Sequence, residues 1–149
     1  PGARGGRPGP LAADQAYWDA AGIGPDPAVL DPGQAATLVR IAPIPWNKIY
    51  RTAFLREAAI RCTEIPVHND LELHWMSFLR ARRILATSRI GAVHFVHEAG
   101  QRLTNRSGEE RFAVFRALDP LYAELARPGR ALYAEPLAEF TLRLFGWIG

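Results

Sequence analysis

Two short stretches hold most of the side chains able to do chemistry. The first is P-W-N-K-I-Y-R, in which Trp46, Asn47, Lys48, Tyr50 and Arg51 lie within six positions. Core packing alone does not call for that mixture of rings, amide, ammonium and guanidinium. A planar ring beside such groups is how proteins hold sugars and phosphates, the ring stacking on the apolar sugar face while the polar ends fix orientation. The bland alternative makes Trp46 and Tyr50 core residues, Asn47 a turn residue and Arg51 a surface partner of Glu57. The second stretch is V-H-N-D-L-E-L-H-W, where Asn69 and Asp70 precede an apolar series at Leu71, Leu73, Trp75, Phe78 and Leu79. A carboxylate there suits an N-cap, accepting from the free amides of the first turn. It equally suits a general base, because a scaffolded helix end aims it outward. Residue types alone leave both roles open.

Other candidate groups have weaker patterns. His68 and His74 are six apart across a helix start, and His94 and His97 fall on opposite sides of an expected strand. Neither pair has the spacing of a strong zinc motif. Asp14, Asp19, Asp26 and Asp31 are scattered through proline-rich loops at no ligand spacing, so capping and solvation explain them.

The elements that must position these groups follow from periodicity and breakers. Residues 1–10, rich in Gly, Pro and Arg, read as a disordered lead. Weak helical character surrounds Tyr17 and Trp18, and a helix over Gln34–Ile41 starts at Asp31 or Gly33 and ends before Pro43. Thr52–Ala59 reads as a short helix. Ile60–Ile65 alternates as a short or edge strand. Leu71–Thr87 is the clearest helix, with Arg80, Arg82 and Arg83 at the end where cations complement its dipole. Ile90–His97 reads as a strand. Glu109–Leu125 forms an amphipathic helix that Pro120 kinks or divides, and a last helix runs from Tyr133 to Phe145. The apolar ending G-W-I-G fits a fragment, or a domain that packs onto something further.

Composition bounds the class. The chain has 149 residues, 48% hydrophobic and 22% charged, the values of an ordinary globular protein with one core. No apolar run reaches the ~18–20 residues of a membrane span. A single cysteine, Cys62, excludes an internal disulfide and fits a reducing compartment. The formal charge of +3 rests on arginine, with few lysines, and reads as a solvated basic surface. We expect no nucleic-acid partner.

The order W-N-K-x-Y-R-x-x-F-L, a short strand, an acidic position opening a helix, then a strand with an aromatic-histidine pair resembles family 2 glycosyltransferases. More narrowly, it is similar to the second half of their GT-A catalytic domain, as in bacterial polysaccharide and teichoic-acid-type enzymes of the cell envelope. The resemblance covers about residues 43–125. It implies an α/β fold: residues 11–125 as the C-terminal half of a GT-A-like domain, and residues 126–149 as a truncated helical extension. In that family the nucleotide-binding half with its D-x-D lies upstream, and no D-x-D precedes Trp46 here.

The implied activity is inverting transfer of a sugar from a nucleotide-sugar donor to a hydroxyl of a glycan or polyol acceptor. A divalent cation, manganese or magnesium, is implied, held mainly by the missing half. Asp70 corresponds to the family's candidate base. Asn69 replaces the usual glutamate, and Trp46, Asn47 and Lys48 lie at the substrate edge of the cleft. His94-Phe95 falls where the family has histidine-tyrosine followed by arginine, which makes His94 a candidate metal or diphosphate contact. Val96 holds the arginine position, so Arg102 or Arg106 would have to substitute. The resemblance further implies a cytoplasmic protein, with peripheral association at the inner face of the membrane left open. The alternative from another class is a non-catalytic helical interaction module that docks a partner through its arginine-rich faces.

Overall fold

The computed structural model describes residues 12–93 and 109–148. Six α-helices carry the architecture: α1 (Ala12–Ala21), α2 (Pro32–Leu38), α3 (Thr52–Glu57), α4 (Leu71–Arg80), α5 (Phe115–Leu125) and α6 (Ala134–Ile148). Strands β1 (Ala28–Val29) and β2 (Leu85–Ala86) form one antiparallel pair, Ala28 opposite Ala86 and Val29 opposite Leu85. Among the described residues the sheet is confined to that pair. The molecule is thus mainly helical, and among the described residues four contribute to the sheet of the expected α/β fold.

Local chemistry explains where the early helices begin. Asp31 caps α2 through a full capping box: its Oδ1 accepts from the Gln34 amide at 2.8 Å, and the Gln34 side chain accepts from the Asp31 amide at 3.0 Å. Pro32 then occupies the first turn, where its missing N–H costs nothing. At the far end of α3, Ala59 takes φ +50°. The Ile60 amide reaches the Leu55 carbonyl at 2.8 Å and the Ala59 amide reaches Arg56 at 3.2 Å. This is a Schellman closure built on alanine where glycine is usual.

Helix α4 is the axis of the core. Leu71, Trp75 and Leu79 are buried along it, and they meet Ala117, Leu118 and Leu121 of α5, Leu137 of α6, and Leu38 and Val39 at the end of α2. The Trp75 ring lies 5.4 Å from that of Phe140. Each such side chain contributes roughly 1.5–3 kcal/mol on burial. Polar ties fix α6 to its neighbours: Arg40 to Glu139 at 3.0 Å, the Tyr122 hydroxyl to Thr141 at 2.8 Å, and Arg143 to the Tyr17 hydroxyl at 2.8 Å.

Four expectations meet a different outcome. The helix foreseen over Leu71–Thr87 stops at Arg80, because Ala81 turns extended (ψ 134°) and residues 84–88 run back along the 24–30 loop. Leu30 donates to the Ile84 carbonyl and Ser88 to that of Gly24, both at 2.9 Å, so backbone pairing outcompetes helix continuation. Ile60–Ile65 makes no ladder. Its alternation reflects a loop that buries Ile60 and Ile65 while Arg61, Cys62 and Glu64 face out. The helix foreseen over Glu109–Leu125 does divide, but at Val114–Phe115, where a 3₁₀ segment passes into α5; Pro120 sits inside α5. Of the strand expected over Ile90–His97, residues 90–93 have no regular structure, and the rest lies outside the described residues.

Candidate functional site

The chain enters the site from α2. After Ile41 the 42–45 segment is held by Asp14 of α1, whose two carboxylate oxygens accept from the Ala42 amide at 3.0 and 2.9 Å. Asp14 is buried, and burial raises its pKa against the opposing pull of that amide, Lys48 and Arg143. A 3₁₀ turn over Pro45–Asn47 follows, and the chain then runs extended through Lys48 (φ −137°, ψ 148°). That extension sends alternate side chains to opposite sides: Lys48 and Tyr50 turn inward while Ile49 is fully exposed.

Lys48 is the chain's single lysine. Its ammonium donates to the Ile44 carbonyl at 3.0 Å, the Ala42 carbonyl at 3.4 Å and the Asn47 Oδ1 at 2.5 Å. Burial lowers its pKa from 10.5 to about 8, with Asp14 and Asp70 pulling the other way. Lys48 therefore lies in the fields of two carboxylates from distant parts of the chain.

Asp70 occupies the N-cap position of α4 but makes no side-chain cap bond, and its backbone is already helical (φ −85°, ψ −11°). The expected capping role is therefore not the one its carboxylate performs. The backbone closes the turn instead: His68 adopts φ +62°, and its carbonyl accepts from the Leu71 amide at 3.3 Å. Asp70 is half-buried, which pushes its pKa up. Its own amide and the Lys48 charge offset part of that rise. Tyr50 and Cys62 lie within its field, and burial raises both of their pKa values first.

The remaining candidates sort clearly. Asn47 is exposed and orients the Lys48 ammonium. Asn69 is exposed, and its carbonyl accepts from the Thr63 amide at 3.0 Å, tying the 61–65 loop to the start of α4. Trp46 is 49% exposed, so the expectation that it is a core residue fails. Arg51 and Glu57, the pair expected under the bland alternative, form no ion pair among the described residues. His94 lies outside the described residues. Among those described, no three His, Cys, Asp or Glu side chains come together as a donor set for the implied divalent cation.

Two further polar groups matter: His74, a hydrogen-bonded histidine as its lack of metal-ligand spacing suggests, and Asp14, a buried carboxylate where capping and solvation are expected. His74 is fully buried, its Nε2 donating to the Val39 carbonyl at 2.7 Å. Burial and the Lys48 charge hold its pKa down at about 3, so the ring is neutral and serves as a strut between α4 and the end of α2. Asp14 is the other. Its signal was the helical stretch around Tyr17 and Trp18, on which Asp14 and Trp18 are four apart on one face.

The Lys48 environment predicts a pH dependence. Lysine's ordinary value is near 10.5 and the folded value is about 8, so between them the unfolded chain holds a proton that the folded chain has released. Stability must then rise with pH across that window as far as Lys48 is concerned. Tyr50 and Cys62, raised by burial, act in the opposite sense, so the measurement is a difference. Denaturant melts of the wild-type chain and Lys48→Met from pH 8 to 10.5 should diverge, the wild type gaining on the variant. Parallel curves would show that the amine titrates normally.

No helix among the described residues is long and apolar enough to cross a membrane. Comparisons with protein-family models, with curated proteins and with solved structures find no match to this chain.

Proposed function

We propose that this chain is the acceptor-side part of a cytoplasmic, inverting glycosyltransferase resembling family 2, with Asp70 as the general base. The observation that carries the reading is the state of the Asp70 carboxylate. It stands at a helix start without capping it, is partly desolvated and raised in basicity, and lies in the field of Lys48. The two segments that carry the resemblance, W-N-K-x-Y-R and N-D-L, are coupled through the charges of Lys48 and Asp70. A carboxylate so held can accept the proton of an acceptor hydroxyl as that oxygen attacks the anomeric carbon and the nucleotide diphosphate leaves. The exposed Trp46 ring suits an apolar sugar face, and the exposed Asn47 and Asn69 offer amides to sugar hydroxyls. The donor is a nucleotide-sugar and the acceptor a glycan or polyol.

The predominance of helix among the described residues favours the second reading, a helical interaction module without catalysis. One assay separates them. The complete reading frame that contains this chain is incubated with uridine and guanosine diphosphate sugars, manganese or magnesium, and a panel of glycan and polyol acceptors. Release of nucleoside diphosphate that depends on acceptor is expected. No acceptor-dependent release with any donor would leave the module.

A further inference from the structure

Away from Asp70, one face of α4 carries Glu72, Met76 and Arg80, stacked along a line at four-residue spacing. The end of α3 with the loop after it stands on one side of this line, and α5 on the other. Between them lies an open cleft of about 660 Å³. Its charged lining is Arg56, Arg61, Arg80 and Arg127 against Glu72 and Glu124.

The two carboxylates are already engaged. Glu124 is bonded by Arg80 through Nε at 3.1 Å and Nη2 at 2.7 Å, and Arg127 lies 3.4 Å from the same oxygen. Glu72 accepts from the Thr63 hydroxyl at 2.6 Å. Arg56 and Arg61, by contrast, are exposed and form no ion pair among the described residues. They flank the Ala59 turn, whose φ of +50° is costly for a residue with a Cβ and is held by the closure onto Arg56 and Leu55. Arg80 anchors the same turn, its Nη1 donating to the Ala58 carbonyl at 2.6 Å. The strained turn is therefore fixed from below while its two arginines stay open to solvent.

We infer that this cleft binds a phosphate-bearing group, with Arg56 and Arg61 as its direct ligands and Arg127 as a third cation at the rim. Four cations against two carboxylates leave a surplus of two positive charges, which a phosphate dianion matches. Guanidinium forks fit phosphate oxygens in pairs. The volume exceeds that of a bare phosphate and leaves room for whatever carries it. None of the three cations is a residue placed at the sugar-transfer site, although Glu72, two positions after Asp70, lines the near end of the cleft.

The test is binding of pyrophosphate to the chain by calorimetry at low salt, alongside flotation with phosphatidylcholine vesicles that contain phosphatidic acid. Arg56→Ala/Arg61→Ala should weaken binding about a hundredfold, because each lost charge-assisted contact removes about a factor of ten. Arg82→Ala/Arg83→Ala removes the same charge from exposed positions outside the cleft and should leave binding unchanged. Pyrophosphate binding marks a soluble phosphate ester as the source of the group. Vesicle binding without it marks a lipid headgroup. Binding of neither probe, or equal loss in the two double variants, overturns the inference. Circular dichroism identical to wild type certifies that the first variant is folded. Should it fail to fold, Arg61→Gln alone must still weaken binding while Arg83→Gln does not.

Discussion

Asp70→Asn should lower acceptor-dependent turnover by about 10²–10⁴-fold in the complete reading frame, with donor affinity nearly unchanged and with stability equal to wild type or better. The combination follows from the position of this carboxylate. Asn keeps the size and the amide-bonding capacity of Asp but cannot take a proton. Asn also caps a helix about as well as Asp, so the substitution tests the charge and not a cap. No cap bond exists to lose.

The sign on stability comes from linkage. Burial raises the folded pKa of Asp70 above the ordinary 3.8, so at neutral pH the folded state pays for an ion that the unfolded chain solvates freely. Removing the charge relieves that cost. As pH falls through the raised folded value toward 3.8, the wild type binds its proton in the folded state first, and the gap between the two proteins closes. A turnover assay and a pair of melts at pH 7 and pH 4 are sufficient. A folded Asp70→Asn protein with near-normal turnover would remove Asp70 from the mechanism, whatever its stability. This pattern, activity gained at some loss of stability, is the usual mark of a functional carboxylate.

What the sequence disclosed about these groups depended on how local their causes are. Asp31 and Gln34 determine the start of α2 within four residues of one another, so a capping box was readable and is present. The end of α4 was not, because it is decided by pairing of residues 84–88 with 24–30, some sixty positions away. Alternation at Ile60–Ile65 was real, yet a ladder needs a partner strand, and among the described residues that loop has none. The same limit shaped the site. The density of functional side chains at Trp46–Arg51 and the carboxylate before α4 could be seen. That α1 would supply Asp14 to hold the 42–45 segment, and so set the Lys48 ammonium between two acids, required the fold. Glu124 left a trace that went unread: it falls on the buried face with Ala117 and Leu121, at the three- and four-residue spacings of a core stripe. A carboxylate at such a position must have a buried cation opposite, and its partner Arg80 stood in plain view at the end of α4.

Glu124 also governs the largest stability effect. It is 2% exposed and meets three guanidiniums: Arg80 at 2.7 Å, Arg127 at 3.4 Å and Arg130 at 3.6 Å. Burial alone would raise its pKa, but the Arg80 hydrogen bonds and charge, joined by Arg127 and Arg130, bring it below the ordinary 4.5. Glu124→Ala removes the one anion of this group. Arg80 is then left partly buried with its Nε and Nη2 protons unanswered, and a cavity opens where α5 packs on α4. Breaking a buried pair from one side costs about 3–5 kcal/mol, a large share of the roughly 5–15 kcal/mol that holds a domain of this size. Urea melts should therefore show Glu124→Ala near or past the edge of folding at 25 °C.

Replacing both partners separates the worth of the pair from the penalty of orphaning one charge. In Arg80→Met/Glu124→Leu no unpaired ion remains, and apolar volume fills the α4–α5 contact, so most of the lost stability should return. The two proteins must also differ in acid. A depressed carboxylate lends stability that is complete above its unfolded value of 4.5 and is lost as pH falls through the folded value. Below pH 4.5 the wild type should weaken while the double variant, with no such carboxylate, loses less. A double variant as unstable as Glu124→Ala would mean that the cost lies in packing rather than charge, and the ion pair would cease to be the clasp between α4 and α5.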